Sequence, residues 1–191
     1  PYNLRNCDYI EEFARPKIIY PNMTSVFPFA YDENGFVGND KTFIITAQDE
    51  SISLKYLTAI FNSKLCKLWI WYNCPELLGG TREIRKVYFE NFAIPACGNI
   101  EEFVSLTDEE ITLHKELQKK RNRFLHRITE NIPNIKINSV IENFHLLDFE
   151  KFIIEINKQK IKLSLLQQDE WEEYFNHYKQ ECNALVNEIT A

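Results

Sequence analysis

Lys41-Thr42-Phe43-Ile44-Ile45-Thr46 reads as a strand, and Leu54, Leu57, Phe61, Leu65, Leu68 and Tyr72 follow it at intervals of three or four. A short run of β-branched and aromatic residues fits a pleated, half-buried surface. Apolar residues three and four apart instead share one face of a helix. A strand passing so quickly into an amphipathic helix favours a mixed α+β fold over an all-helical or all-strand one. The spacing predicts a single helix through Tyr72. Pro75 prevents easy continuation, and Gly79-Gly80 opens a flexible loop.

Upstream of this stretch, Lys17-Ile18-Ile19-Tyr20 is a short β-prone run halted by Pro21. Val26 to Tyr31 is aromatic and extended, and Asp32-Glu33-Asn34-Gly35 is a strong turn signal. Together with the strand at 41–46 these predict a hairpin or small meander. Downstream, Val87 to Ile94 returns to an extended pattern that ends at Pro95, and Ala96 to Glu102 reads as a short link.

Beyond the link the pattern turns helical. Thr107 and Glu110 have capping-box spacing, and Ile111, Leu117, Phe124, Leu125, Ile128 and Ile132 supply apolar positions up to Pro133. Phe149 to Ile156 fits helix or strand equally. Ser164 and Gln167 form a second capping box, ahead of Trp171, Tyr174, Phe175, Tyr178, Cys182, Leu185 and Ile189 at helical spacing. The expectation is an α+β fold: a small mixed or antiparallel sheet with a packed helix over residues 1–100. A helical extension with two long amphipathic helices follows over 101–191. Those helices either pair with each other or dock onto another part of a longer protein. The missing initiator Met before Pro1 and a helix still in progress at Ala191 suggest such a longer protein.

Of the 191 residues, 45% are hydrophobic and 14% aromatic, enough for a packed core in one domain or two small ones. The net charge of −6 argues against general nucleic-acid affinity. Its distribution is uneven, however. Residues 1–95 hold 10 Lys/Arg against 11 Asp/Glu, and residues 96–191 hold 12 against 17. The nearly neutral first half can therefore concentrate positive charge locally. Nothing resembles a signal peptide, and no run of about 18 apolar residues suggests a bilayer span. Cys7, Cys66, Cys74, Cys97 and Cys182 are odd in number and scattered, which favours reduced cytoplasmic thiols over zinc ligands or disulfides.

The usual catalytic constellations are missing from the sequence. There is no glycine-rich nucleotide fingerprint, no G-x-S-x-G elbow, and no Asn-Pro-Pro-Tyr or Asp-Pro-Pro-Tyr run. His114 and His126 lie about three turns apart and cannot share a metal on one helix, and His145 and His177 read as surface or interface residues. Cys66 reads as core filler. Asp108-Glu109-Glu110 and Asp169-Glu170 read as acids placed near helix starts, where they favour the helix dipole. No catalytic residue and no metal site is expected.

What remains is Gly79-Gly80-Thr81-Arg82-Glu83-Ile84-Arg85-Lys86. An Arg fork matches the O6 and N7 acceptors of guanine, and a Glu accepts from the cytosine amine. Lys86 and the glycine amides suit phosphate contacts that fix register. On charge pattern alone, such a cluster is more often a solvated loop.

The order of landmarks along the chain resembles the C-terminal specificity domain of TaqI-like adenine methyltransferases and type IIG restriction-modification enzymes. Arg15-Pro16-Lys17-Ile18-Ile19-Tyr20-Pro21 is similar to that family's KPKIIYP run. Phe27 to Gly35 and the strand at 41–46 come next in the same order. Tyr56-Leu57-Thr58-Ala59-Ile60-Phe61-Asn62-Ser63-Lys64-Leu65 resembles YLLALLNSKL, and Val87 to Pro95 resembles YLENLPIP. Leu163-Ser164, Trp171 and the last helix resemble the family's tail.

The resemblance implies sequence-specific recognition of double-stranded DNA, with Asn22, Thr24, Ser25, Arg82, Glu83 and Arg85 as base readers. It implies backbone contacts from Tyr20, Lys41, Gly80 and Lys86. Chemistry would belong to other domains of the same polypeptide. A methyltransferase domain would use S-adenosylmethionine, and a nuclease, where present, would use Mg. This chain itself would need no cofactor and no membrane. Two further readings are a non-catalytic helical module for protein-protein interaction and an enzyme fragment with an unrecognised site.

Overall fold

The computed structural model describes residues 10–48 and 51–190, so Cys7 and Ala191 lie outside the described residues. The chain divides into two compact units, Pro1–Asp108 and Glu109–Ala191. The fold is α+β, with a small antiparallel sheet and long C-terminal helices, as the sequence indicates.

In the first unit β1 (Lys17–Pro21) is followed by β2 (Met23–Thr24), β3 (Ala30–Asp32) and β4 (Thr42–Thr46). β1 is the central strand of a three-stranded sheet ordered β3-β1-β4, antiparallel to both neighbours. The turn after β3 forms because the Asp32 carboxylate accepts from the Asn34 and Phe36 amides at 3.1 and 2.9 Å, and Gly35 supplies a φ of +77°. Lys17 is fully buried. Its ammonium donates to the Phe13 carbonyl at 2.6 Å and to Asp32 at 2.5 Å. Burial works to raise the Asp32 pKa. The hydrogen bond from Lys17, the two amides and the Lys17 charge outweigh that and hold it below 3.8.

The helix predicted to run through Tyr72 is two helices, α1 (Leu54–Asn62) and α2 (Lys64–Asn73). The break is at Ser63, whose backbone is extended at φ −64° and ψ 155°. Its hydroxyl donates to the Ile60 carbonyl at 2.6 Å and accepts from the Cys66 amide at 3.2 Å, closing one helix and capping the next. The break resets the helical phase. α1 buries Leu54, Tyr56, Thr58 and Phe61, and α2 buries Cys66 and Ile70. Leu65, Leu68 and Tyr72, placed by the sequence on the buried face, are exposed. Asn62 ties α1 to the sheet, because its side-chain amide donates to the Phe29 carbonyl at 2.7 Å and accepts from the Phe29 amide at 3.1 Å.

After α2 come β5 (Arg82–Glu83) and a single helical turn, α3 (Lys86–Phe89). The extended reading of Val87 to Ile94 is therefore corrected. Phe89 and Phe92 are three residues apart, and both enter the core because the chain turns rather than extends. The Glu90 and Phe92 amides donate to the Lys86 and Phe89 carbonyls at 2.9 and 3.0 Å. These rings join Tyr20, Phe29 and Phe61 in an aromatic core, with the centroids of Phe61 and Phe89 5.0 Å apart. Cys66 is buried in the same core, as expected, and burial pushes its thiol up to about 12.

α4 (Ile100–Asn131) starts inside the expected link, and the boundary between the units falls within it. Thr107 is therefore not a cap. It is buried in mid-helix, with its hydroxyl 2.8 Å from the Phe103 carbonyl and 3.1 Å from that of Lys55. Asp108-Glu109-Glu110 likewise lies within the helix rather than at its start. α5 (Ser139–Glu142), α6 (Phe149–Lys158) and α7 (Leu165–Thr190) complete the second unit. Residues 149–156 are thus helical, capped by Asp148 accepting from the Lys151 amide at 2.9 Å. The capping box at Ser164 forms in both directions, with Gln167 N–H to Ser164 Oγ at 3.3 Å and Ser164 N–H to Gln167 Oε1 at 3.0 Å.

Leu117, Phe124, Ile128 and Ile132 of α4 and Phe175, Tyr178, Cys182 and Leu185 of α7 share one core with Phe144 and Phe152. The two long helices thus pack against each other through this core. His145, read as a surface or interface residue, is buried within this unit, and desolvation lowers its pKa, with Arg121 adding to the effect. No helix among the described residues is long and apolar enough to cross a membrane.

Candidate nucleic-acid interface

A second sheet consists of only two short strands, β2 and β5, paired antiparallel with Met23 opposite Glu83 and Thr24 opposite Arg82. Two segments almost sixty residues apart in sequence thus lie side by side. They contain the two groups of residues that the family resemblance nominated as base readers. The ribbon continues outward through Asn22, whose carbonyl accepts from the Ile84 amide at 2.8 Å and whose own amide donates to the Lys41 carbonyl at 2.9 Å. Lys41 is thereby attached to the same edge.

Two residues per strand form too little ladder to stand alone. The loop before β5 supplies the support. Glu83 donates its amide to the Pro75 carbonyl at 3.0 Å, Leu77 donates to the Thr81 carbonyl at 2.8 Å, and Glu76 bridges to Arg82. The reversal between them needs φ of +74° and +76° at Gly79 and Gly80, where any side chain would be strained.

The nominated residues separate into two groups by burial. Asn22, Thr24 and Glu83 are half-buried, and Ser25, Arg85, Lys86 and Lys41 are exposed. Thr24 Oγ1 accepts from the Val26 amide at 3.1 Å, which folds the chain back at the ribbon end. The Glu83 carboxylate pairs with Arg85 at 2.7 Å while the Arg85 side chain stays 61% exposed. Gly80 is half-buried in the turn.

Arg82 and Tyr20 are placed differently. Arg82 is only 7% exposed. Its guanidinium lies over the Trp71 ring at 4.2 Å and pairs with Glu76 at 3.1 Å, and its Nε has no hydrogen-bond partner. Tyr20 is a core ring, stacked on Phe29 at 5.2 Å, and burial raises its pKa to about 12. In this conformation neither residue presents its polar group to solvent.

The sequence reading missed Trp71 and Glu76. Trp71 falls outside the helical stripe drawn through α2, and nothing in its spacing marks it as the ring beneath an arginine eleven residues on. Met23 and Val26 are exposed apolar residues at the same ribbon. Among the described residues no three His, Cys, Asp or Glu side chains cluster in a way that could hold a metal ion. The arrangement is a polar edge with three exposed cations, able to donate hydrogen bonds and to meet phosphates.

Comparison with known families divides the chain near the same place. Residues 2–94 match the TaqI-like C-terminal specificity domain. Residues 98–191 match a family described as a domain of unknown function, DUF8810. No curated protein matches the chain. The first match supports a DNA-recognition role within restriction-modification enzymes.

Proposed function

From a first unit that carries a TaqI-like specificity domain, we propose that the β2–β5 ribbon is the edge that reads base pairs in duplex DNA. The observation that carries this reading is the pairing of Met23–Thr24 with Arg82–Glu83, extended by the Ile84 amide to the Asn22 carbonyl, which brings the segments 22–25 and 82–86 side by side. Asn22, Ser25 and Arg85 are the direct readers, and Thr24 and Glu83 orient them. Arg85 meets Glu83 through one guanidinium nitrogen, and its remaining donors suit the paired acceptors of a guanine. Lys41, Lys86 and the amides around Gly80 fix the phosphate register. Arg82 supports the ribbon from beneath, and Tyr20 belongs to the core.

Methylation of adenine with S-adenosylmethionine, and any Mg-dependent cleavage, belong in this proposal to other domains of a longer polypeptide. The residues of this chain select the sequence and do no bond chemistry. A cytoplasmic setting follows from that role. A helical protein-docking module is the weaker alternative, because the apolar faces of α4 and α7 are used against each other.

The test replaces Arg85 with Ala in the full-length protein and compares modification of its own site with sites altered by one base pair. Discrimination at one position is expected to fall by about 1–3 kcal/mol, the usual worth of a bidentate base contact. Unchanged discrimination in a folded variant assigns the ribbon to ordinary surface.

A further inference from the structure

The second unit carries twelve Lys and Arg against fourteen Asp and Glu, so it is acidic overall. Its cations are not spread evenly. Between Lys115 and Arg127 six Lys and Arg stand against the single carboxylate of Glu116. Four of them, Lys115, Lys119, Arg123 and Arg127, recur at every fourth residue of α4, and all four are exposed. At 1.5 Å and about 100° per residue they succeed one another every ~6 Å over ~18 Å, in a row that winds about 120° around the helix.

This pattern differs from that of an ordinary solvated helix face. Such faces alternate acid and base at four-residue spacing, because unlike charges attract and like charges repel there. Here three successive four-residue steps join cation to cation. Among the described residues no carboxylate lies within ion-pair distance of Lys115, Lys119 or Arg123, whereas Lys120, one position off the row, is paired with Glu181 of α7 at 2.6 Å. The row borders an open cleft of about 430 Å³, with Glu116, Lys119, Lys120 and Arg123 on the α4 wall and His177, Tyr178 and Glu181 on the α7 wall, so cations outnumber carboxylates there by three to two. Of the four cations in the row only Arg127 is bridged among the described residues, to Glu130 at 3.4 Å, and a regularly charged anionic ligand would meet the other three.

We propose that the basic row of α4 is a second DNA-contacting surface, which meets the phosphates of duplex DNA irrespective of sequence. Duplex DNA carries regularly repeated phosphates along both strands, and a row of cations at regular spacing suits such a ligand. The proposal rests on the reading of this protein as a DNA-recognition module. It gives the second unit a role of its own, supplying affinity where the ribbon supplies choice. An acidic protein surface is the rival partner for the same charges.

The test uses the full chain, a labelled 30-base-pair duplex of mixed sequence, and salt between about 50 and 200 mM. Lys119→Gln with Arg123→Gln is compared with Lys151→Gln with Lys158→Gln, which removes the same charge from exposed positions on α6. Both pairs keep good helix formers on the surface, and thermal melting checks that each variant is folded. Each lost phosphate contact lowers the slope of log affinity against log salt by about 0.9, so the α4 pair is expected to lower it by roughly two. The α6 pair should leave the slope near the wild-type value.

Equal slopes for the two pairs overturn the proposal. If Arg85→Ala still loses discrimination between sites in the full-length protein in that case, the ribbon reading stands without it. A wild-type chain that binds no duplex at 50 mM salt overturns both, and capture of poly-glutamate in its place identifies an acidic protein as the partner.

Discussion

In the first unit a lysine and an arginine are buried and an asparagine is bonded across thirty-three residues, whereas the second unit buries rings and aliphatic chains with one histidine among them. Four of the five buried polar residues described, Lys17, Thr58, Arg82 and Thr107, lie before Glu109. The contrast follows from element length. Helices of 32 and 26 residues satisfy their own backbones and need only matching apolar faces to stay together. Strands of two to five residues cannot hold their loops in place, and buried hydrogen bonds to side chains do so instead. The proposed reading edge belongs to the unit built by the second method, and such an edge must stay exposed and yet keep its shape.

The largest loss of stability is expected from a cut into the apolar core of the second unit. Phe124 is fully buried, with the Phe144 ring centroid at 3.8 Å and the Tyr174 and Tyr178 rings at 5.8 and 5.9 Å. Phe124→Ala should cost about 3–5 kcal/mol of unfolding free energy. Helical circular dichroism in urea measures it, and a loss below about 1 kcal/mol contradicts the packing described.

Next in size is Lys17→Met, at roughly 2–3 kcal/mol, since Asp32 loses its cation but keeps the Asn34 and Phe36 amides. The variant also changes the response to acid. Asp32 has a folded-state pKa below its ordinary value, so its contribution is present above that value and disappears as pH falls through the folded one. Without Lys17 the depression shrinks. The difference in urea midpoint between pH 6 and pH 3 should therefore be smaller in Lys17→Met than in wild type.

The same contrast explains what could be read from sequence. The second unit was legible because a 3.6-residue period marks buried positions directly: Phe124, Ile128, Tyr178 and Cys182 all fell where the spacing put them. Its helix starts were less legible. Thr107 has the chemistry of a cap but sits in mid-helix, since a capping box states only a local option. In the first unit, Ser63 broke a helix whose apolar spacing ran straight through it. The pairing of Met23 with Glu83 is a long-range event that no local pattern encodes. The family resemblance nominated Arg82 as a reader, yet the buried state of Arg82 depends on Trp71 and Glu76, which meet it only after folding.

Arg82→Ala measures how far that polar support holds the ribbon. The stack on Trp71 and the bond to Glu76 are both lost, so a destabilisation of about 1–2 kcal/mol is expected for the first unit. Arg82→Lys should recover little of it, because an ammonium cannot reproduce a planar stack. Full recovery by Lys would show that charge alone is needed. In the second unit Ser164→Ala removes a cap outside the core and should cost about 1 kcal/mol, seen as a small drop in urea midpoint.

The smallest stability effect is expected at Arg85, three residues from Arg82 and with the same side chain. Its guanidinium is 61% exposed, and its bond to Glu83 is one a half-solvated pair can exchange for water. Arg85→Ala should therefore change the unfolding free energy by no more than about 0.5 kcal/mol. Within one ribbon, then, one arginine should matter to folding and the other to recognition. Urea titration of both variants, set beside their discrimination between DNA sequences, separates the two roles. Equal destabilisation by Arg82→Ala and Arg85→Ala would mean that Arg85 too is structural, and it would leave Asn22 and Ser25 to read the bases.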